Sequence, residues 1–311
     1  MGTDFEVWLV ADSSRAKELF EIAFAEIDRI DASLSSYRAT SEISRINRRA
    51  TVERVTTDPE TFGLLRRSLA YSARTAGAFD ITVGQLLRAW GFFREQGRYP
   101  TDAELARARA RTGWDLVELE PRRRTVRFRR SDILLDLGAI GKGYALDRVA
   151  ALLRQSGVEA ALAGAGQSTY VAIGRPPGEV AWRVNVPDPN DRSRTISSID
   201  LRDAALSTSG SYEKFFVIGD KTYCHIIDPR TGRPVTGMLQ ATVRARTGEE
   251  SDMLATATFV AGAAGAANLI DEEFHQAMML VTGEPSAPRL SGLHWPDTAI
   301  AELQHGGSPI D

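Results

Sequence analysis

Cysteine, histidine and long apolar runs are scarce in this chain, and these scarcities narrow what it can be. A single cysteine, Cys224, in 311 residues leaves no partner for an internal disulfide and no multi-cysteine zinc set. No apolar run is long enough to cross a bilayer, so no transmembrane segment is expected. The start, Met1-Gly-Thr-Asp-Phe-Glu-Val-Trp-Leu-Val, reads as a strand and lacks the basic leader and apolar core of a signal peptide. A soluble chain is expected, cytoplasmic or, where an export signal has been removed, in the periplasm or cell envelope. Neither sign of charge dominates: 38 basic against 41 acidic residues leave a net charge of −3, with no general drive toward nucleic acid. The dense basic run, Arg122-Arg123-Arg124 with Arg127, Arg129 and Arg130, alternates with Val126 and Phe128. It reads as a hairpin with one solvated face, and no nucleic-acid partner is expected. Repeats and low-complexity linkers are also missing.

Two familiar phosphate motifs are absent too. In Asp136-Leu-Gly-Ala-Ile-Gly-Lys-Gly-Tyr-Ala-Leu-Asp147 only Ala139 and Ile140 separate Gly138 from Gly141-Lys142, whereas a P-loop needs four intervening residues. Gly164-Ala165-Gly166 opens like a dinucleotide fingerprint, but Thr169 stands where the third glycine belongs. The 136–147 stretch nevertheless has chemistry of its own. An apolar, strand-like Ile133-Leu134-Leu135 precedes it, and Ala145, Val149, Leu152 and Leu153 follow at helical spacing. A glycine-rich turn at a helix start turns backbone N–H groups toward an anion, and Lys142 adds a mobile positive charge. A phosphorylated ligand is the expectation; an ordinary tight turn with a solvated lysine is the alternative.

With 43% hydrophobic residues the chain can bury a large core in one or two domains. Ser13 can cap a helix reaching about Ser35, with Leu19, Ile22, Ala23, Ile27, Ile30 and Leu34 as its apolar stripe. Further helices are expected over Ser41–Asn47, Asp58–Thr75 and Thr101–Thr112, and strands near Ala160, Tyr170, Trp182, Ile196, Phe216, Thr222, Thr242 and Met278. This mixture predicts an α+β class of mixed sheets packed with helices, not a doubly wound sheet.

Two other stretches carry chemistry. Ser251-Asp-Met-Leu-Ala-Thr256 reads as a helix start capped by Ser251, with Asp252 and Thr256 one turn apart on one face. A carboxylate and a hydroxyl so placed suit Mg2+, a hard cation that keeps few protein ligands; favouring the helix dipole and simple packing are the alternatives. In Tyr223-Cys-His-Ile-Ile-Asp-Pro-Arg-Thr-Gly-Arg-Pro234 a strand delivers His225 and Asp228 to a turn. His225 could act as a base or ligand contact, or be a structural histidine. Cys224 alternates to the opposite strand face, which argues against a Cys–His nucleophile pair.

DLGAIGKGYALD, ALSTSGSYEKF from Ala205, HIIDPRTGRPV from His225 and SDMLATATFVAG from Ser251 together resemble the ApbE family of FAD:protein FMN transferases. MGT at Met1, LSSYRATSEISRIN from Leu34 and AFDITVGQLLRAWGF from Ala78 extend the likeness, in family order, over nearly the whole chain. The resemblance implies one flavin-transferase domain over residues 1–311 with an ApbE-like (T-fold-related) architecture, with two sub-lobes meeting at the FAD site as its variant. It implies FAD as substrate, Mg2+ as cofactor, and transfer of FMN to a Thr/Ser hydroxyl in a motif of an acceptor protein, with release of AMP. Met1, Tyr37, Ala78, Phe79, Asp80, Asp136 and Lys142 become expected FAD contacts, and Thr208, Ser209 and Gly210 expected lining of the flavin pocket. The expected metal ligands are the backbone carbonyl of Ala139 and the side chains of Asp252 and Thr256. His225 is the expected catalytic residue, with Asp228 orienting it or acting itself. The family's Asn-x-Gly-Gly-Asp/Asn stretch is replaced by Gly164-Ala-Gly-Gln-Ser168, which loses the terminal carboxylate or amide. A FAD pyrophosphatase forming FMN and AMP, and a non-catalytic FAD-binding protein, are the competing readings.

Overall fold

The computed structural model describes residues 2–94 and 97–296; Met1, one of the expected FAD contacts, lies outside them. Along the chain run β1 (Phe5–Leu9), α1 (Ser13–Leu34), α2 (Glu42–Arg49), β2 (Val55–Thr56), α3 (Pro59–Arg74), α4 (Gly84–Ala89) and α5 (Asp102–Arg109). After them come β3 (Val117–Glu120), β4 (Thr125–Phe128), α6 (Gly141–Gln155), β5 (Ala161–Ala165), β6 (Thr169–Ile173), β7 (Trp182–Pro187) and β8 (Thr195–Leu201). The last third holds β9 (Ala205–Gly210), β10 (Phe215–Ile218), β11 (Lys221–Cys224), β12 (Ile227–Asp228), β13 (Arg233–Pro234), β14 (Met238–Ala245), α7 (Gly248–Ala266), β15 (Ala277–Glu284) and β16 (Ala287–Leu293). The class is α+β, as expected. The chain divides into two compact units: one takes residues 29–139 and 213–236, the other 2–28, 140–212 and the remainder from 237.

The larger unit is built on a seven-stranded sheet in the order β1-β5-β6-β9-β14-β15-β16, antiparallel at every pairing. Period-two alternation sorts its side chains onto two faces. Ala161, Ala163, Ala165, Val171, Ile173 and Ala205 meet Leu19, Ala23 and Ile27 of α1 and Leu146, Val149 and Leu153 of α6. Leu162, Ala172 and Leu206 point the other way, toward Val184, Val186, Ile196 and Ile199 of the β7–β8 hairpin. The alanine-rich strand face lets the helices sit close.

The smaller unit combines α2–α5 with a three-stranded sheet, β2-β4-β3, and the two-stranded ladders β10–β11 and β12–β13. Its helices start where their caps dictate. Ser41 accepts the Ser44 amide, Asp58 accepts the Thr61 amide with Pro59 next to it, and Thr101 forms a capping box with Glu104. Leu86, Trp90, Leu105, Ala108 and Ile227 form its buried apolar cluster.

Several expectations need correction. Ser251 does not open its helix. Thr247 is the N-cap of α7 and accepts the Glu250 amide at 3.2 Å, so the hydroxyl and acidic residue of Thr247-Gly-Glu-Glu start the helix one turn earlier. Ile133-Leu134-Leu135 is not a ladder strand; it makes a single bridge, Val83 to Leu134. Its backbone is satisfied by a side chain instead, since Asn47 donates to the Leu135 carbonyl at 3.0 Å and accepts the Leu135 amide at 2.8 Å. The helix expected to reach Thr112 ends at Arg109, and α4, β9 and β16 had no counterpart in the sequence reading.

Candidate active site

In the larger unit the site forms where the first turns of α6 and α7 cross. A Cβ on Gly143 would lie 1.9 Å from the carbonyl oxygen of Gly248, and one on Gly248 would lie 2.5 Å from that of Gly143. Only glycine permits this backbone contact. Two carboxylates stitch the crossing. Asp147 of α6 accepts the amides of Gly248 and Glu249 at 2.7 and 2.8 Å, satisfying otherwise orphaned donors at the start of α7. Burial nevertheless pushes its carboxyl up to about 6, against those two hydrogen bonds. Asp252 of α7 accepts the Gly143 amide at 3.0 Å through Oδ2, while its Oδ1 lies 3.4 Å from Lys142 Nζ. The amides of the glycine-rich segment are therefore not all turned outward: Gly143 serves Asp252, and Gly138 serves Asp136 at 2.9 Å. Gly141 is buried, yet a Cβ there would meet no atom within 4 Å.

β9 lines α7 with hydroxyls. Ser207 Oγ meets Ser251 Oγ at 2.7 Å, and Ser209 Oγ meets Thr256 Oγ1 at 3.2 Å. Thr208 alternates away to Thr242 at 3.0 Å, which also accepts from Gln240; Tyr212 in turn donates to Gln240 at 2.9 Å. Gly210 admits the Tyr212 ring, since a Cβ there would sit 2.5 Å from it.

For a magnesium ion the donor chemistry of this unit fits. Asp252 is 3% exposed, with one oxygen on an amide and the other only at the edge of hydrogen-bond range of an ammonium. The Thr256 hydroxyl stands one turn further along the same helix face. These are hard oxygen donors. Among the described residues no group of three or more His, Cys, Asp or Glu gathers to hold a metal, so a bound ion here would draw on hydroxyl, carbonyl and ligand oxygens as well.

The smaller unit holds the other expected residues. Asp136 accepts the Ser36 hydroxyl at 2.7 Å, beside Tyr37, whose 64%-exposed ring lies 5.1 Å from that of Phe93. Ala78 and Phe79 are 2% and 1% exposed, so a ligand could reach little beyond their backbone. Asp80 is a structural cap: it accepts the amide and hydroxyl of Thr82 and the amide of Trp114, and burial raises its carboxyl above the usual range. Ala139 is half-buried in the turn before α6.

His225 follows β11, extending that hairpin by donating its amide to the Lys214 carbonyl at 2.9 Å. Its Nδ1 lies 3.1 Å from the same oxygen. One ring edge abuts an aromatic cluster: Phe92 lies 6.4 Å from the imidazole and 5.1 Å from Phe216, which stacks on Tyr223 at 5.4 Å. Trp90 lies 5.5 Å from Tyr223 and donates to the Gly232 carbonyl at 2.8 Å. Asp228 pairs with Arg230, taking its amide and two guanidinium nitrogens at 2.9–3.0 Å. Cys224 is buried with its thiol pushed up to about 11 by desolvation, a poor nucleophile.

The structure thus brings together Lys142 with Asp252, and Ser209 with Thr256. Sequence reasoning missed Asp147, visible only as the last letter of the glycine-lysine motif, and the Ser207–Ser251 pair. It also missed the aromatic bed beside His225, whose members come from separated segments.

Comparison with known proteins gives the family. The ApbE family model matches residues 1–280. The chain is 33% identical over 288 residues to the FAD:protein FMN transferase of Klebsiella pneumoniae (strain 342), covering 90% of this chain and 82% of that protein. It is 30% identical over 279 residues to the FAD:protein FMN transferase of Escherichia coli (strain K12), covering 88% and 79%. The crystal structure of the ApbE protein of Thermotoga maritima superposes with a TM-score of 0.85 at 30% identity, over 93% of each chain. The flavin transferase ApbE from Vibrio cholerae does so at 0.81 with 27% identity, over 94% of each. With an unbroken match from its first residue through α7, the chain belongs to the ApbE family.

Proposed function

We propose that the protein is a Mg2+-dependent FAD:protein FMN transferase. The observation that supports it most is the buried Asp252 carboxylate, which meets Lys142 and the Gly143 amide where two helix starts cross. Relatives 30–33% identical over most of their length are named FAD:protein FMN transferases. In this reading Asp252 and Thr256 hold the ion, with the carbonyl of Ala139 as a further ligand. The bound ion would supply Lewis-acid neutralisation of charge on the pyrophosphate. Lys142 adds a fixed positive charge for the phosphate oxygens. Tyr37, Asp136 and the backbone of Ala78 and Phe79 contact FAD, and Thr208, Ser209 and Gly210 line the flavin side; Asp80 holds its loop in shape.

His225 accepts the proton of a Thr or Ser hydroxyl on the acceptor protein. The acceptor oxygen bonds to the FMN phosphorus, the pyrophosphate P–O bond breaks, and AMP leaves with the bridging oxygen. The test is incubation with FAD, Mg2+ and a threonine-containing acceptor, following AMP release and flavin fluorescence on the denatured acceptor. Labelled acceptor with equimolar AMP is the expected result. AMP and free FMN without labelling would make the protein a hydrolase, and no AMP under any condition would overturn both.

A further inference from the structure

None of the residues proposed for the transfer reaction lies on the arginine hairpin. Charge is unevenly shared: residues 29–139 and 213–236 carry 25 Lys and Arg against 17 Asp and Glu, while the rest of the chain carries 13 against 24. Much of the excess lies around the β2-β4-β3 sheet, at the end of α2, in the β3–β4 turn and just after β4. Segments 48–54 and 118–130 hold nine arginines and three glutamates.

Those glutamates do not neutralise the face. Glu118 is shared between Arg54 at 3.1 Å and Arg129 at 3.2 Å, and Glu53 pairs with Arg49. Glu120 turns back on its own hairpin, accepting the backbone amides of Arg122 and Arg123 at 3.0 and 2.7 Å. Arg122, Arg123 and Arg124 are left exposed at the tip between β3 and β4. Arg127 donates to the neutral carbonyl of Val52 at 3.3 Å and keeps its charge. Val52 itself is 74% exposed among these arginines.

We propose that this face is a docking surface for a bilayer containing anionic lipid. Several arginines on a rigid hairpin bind a negative surface additively, each contributing on the order of 1 kcal/mol. An exposed valine among them can enter the headgroup layer, as apolar side chains of peripheral membrane proteins do. A single-stranded nucleic acid fits less well, because the apolar residues of β4, Val126 and Phe128, are 0% and 2% exposed and offer no surface for base stacking.

The test is co-sedimentation of the full chain with phosphatidylcholine vesicles, with and without phosphatidylglycerol, over a salt series. Binding should require phosphatidylglycerol and weaken as salt rises. Replacing the tip (Arg122→Gln, Arg123→Gln, Arg124→Gln) should lower the partition coefficient by about 100-fold, and Val52→Asp should lower it further. The thermal unfolding midpoint should stay unchanged in both variants, which shows that they fold. Equal binding to neutral vesicles, undiminished binding by the triple variant, or binding to a single-stranded oligonucleotide with none to the vesicles would overturn the proposal. Because the assay needs neither FAD nor acceptor, its outcome is independent of the transferase reading.

Discussion

Asp147 and Asp252 hold backbone amides of each other's helix: Asp147 on α6 accepts from Gly248 and Glu249 of α7, and Asp252 on α7 accepts from Gly143 of α6. Since Lys142 also faces Asp252, the contact that fixes the two helices fixes the spacing of the proposed phosphate and metal ligands as well.

Gly143→Ala should be severely destabilising. The new methyl would fall 1.9 Å from the Gly248 oxygen and 2.8 Å from the Glu249 nitrogen, both backbone atoms that cannot rotate away. A loss of at least ~3 kcal/mol is expected, read from the urea midpoint against wild type. A change under ~1 kcal/mol would mean that the crossing is looser than described.

Asp147 should leave a mark on stability between about pH 4 and 6. Its folded-state carboxyl titrates near 6 because of burial, above the usual 3.8 of an aspartate, so in this window the native state binds the extra proton. Its contribution is complete below about 4 and is lost as pH rises through 6, by ~3 kcal/mol at most. Asp147→Asn should abolish this part of the pH dependence. Denaturation series at pH 4, 5, 6 and 7 would check it, and parallel profiles for the two proteins would refute it.

Asp252 is both the proposed metal carboxylate and the partner of the Gly143 amide. Asp252→Ala should weaken Mg2+ or Mn2+ binding in calorimetry and lower FMN transfer by at least ~100-fold, the scale seen when one electrostatic donor is lost from an active site. Transfer that keeps the wild-type Mg2+ dependence would exclude Asp252 as a ligand.

His225→Ala should lower transfer to the acceptor by ~100-fold or more while FAD affinity stays within a few-fold. In-gel flavin fluorescence and a fluorescence binding titration give the two readouts. An unchanged rate at neutral pH would remove the histidine from the chemistry.

Trp90→Ala should cost ~3–5 kcal/mol. It deletes a 1%-exposed ring and the bond to the Gly232 carbonyl that ties α4 to the turn after His225. Thermal unfolding would measure it.

Several helix starts and the apolar stripe of α1 were legible in the amino-acid order because they are local, whereas the cap expected at Ser251 stands at Thr247. Ser41, Asp58 and Thr101 begin their helices as their side chains require, and Leu19, Ala23, Ile27 and Ile30 are the buried stripe of α1. β9 was not legible. Ala205-Leu-Ser-Thr-Ser-Gly210 has few β-branched residues, and it becomes a strand through pairing with β6 and β14 on either side. The aromatic bed of His225 was hidden for another reason: Trp90, Phe92, Phe216 and Tyr223 are adjacent only after the chain returns more than a hundred residues later.

Taken alone, the order of residues determined the α+β class, most helix starts, the family, and Asp252 with Thr256 on one helix face, because each depends on short-range periodicity or on motifs in series. Tertiary structure alone decided that Gly143 meets another backbone and that Asp147 satisfies the start of α7. Those outcomes depend on which amides and carboxylates meet once distant segments pack, and no local pattern encodes that distance.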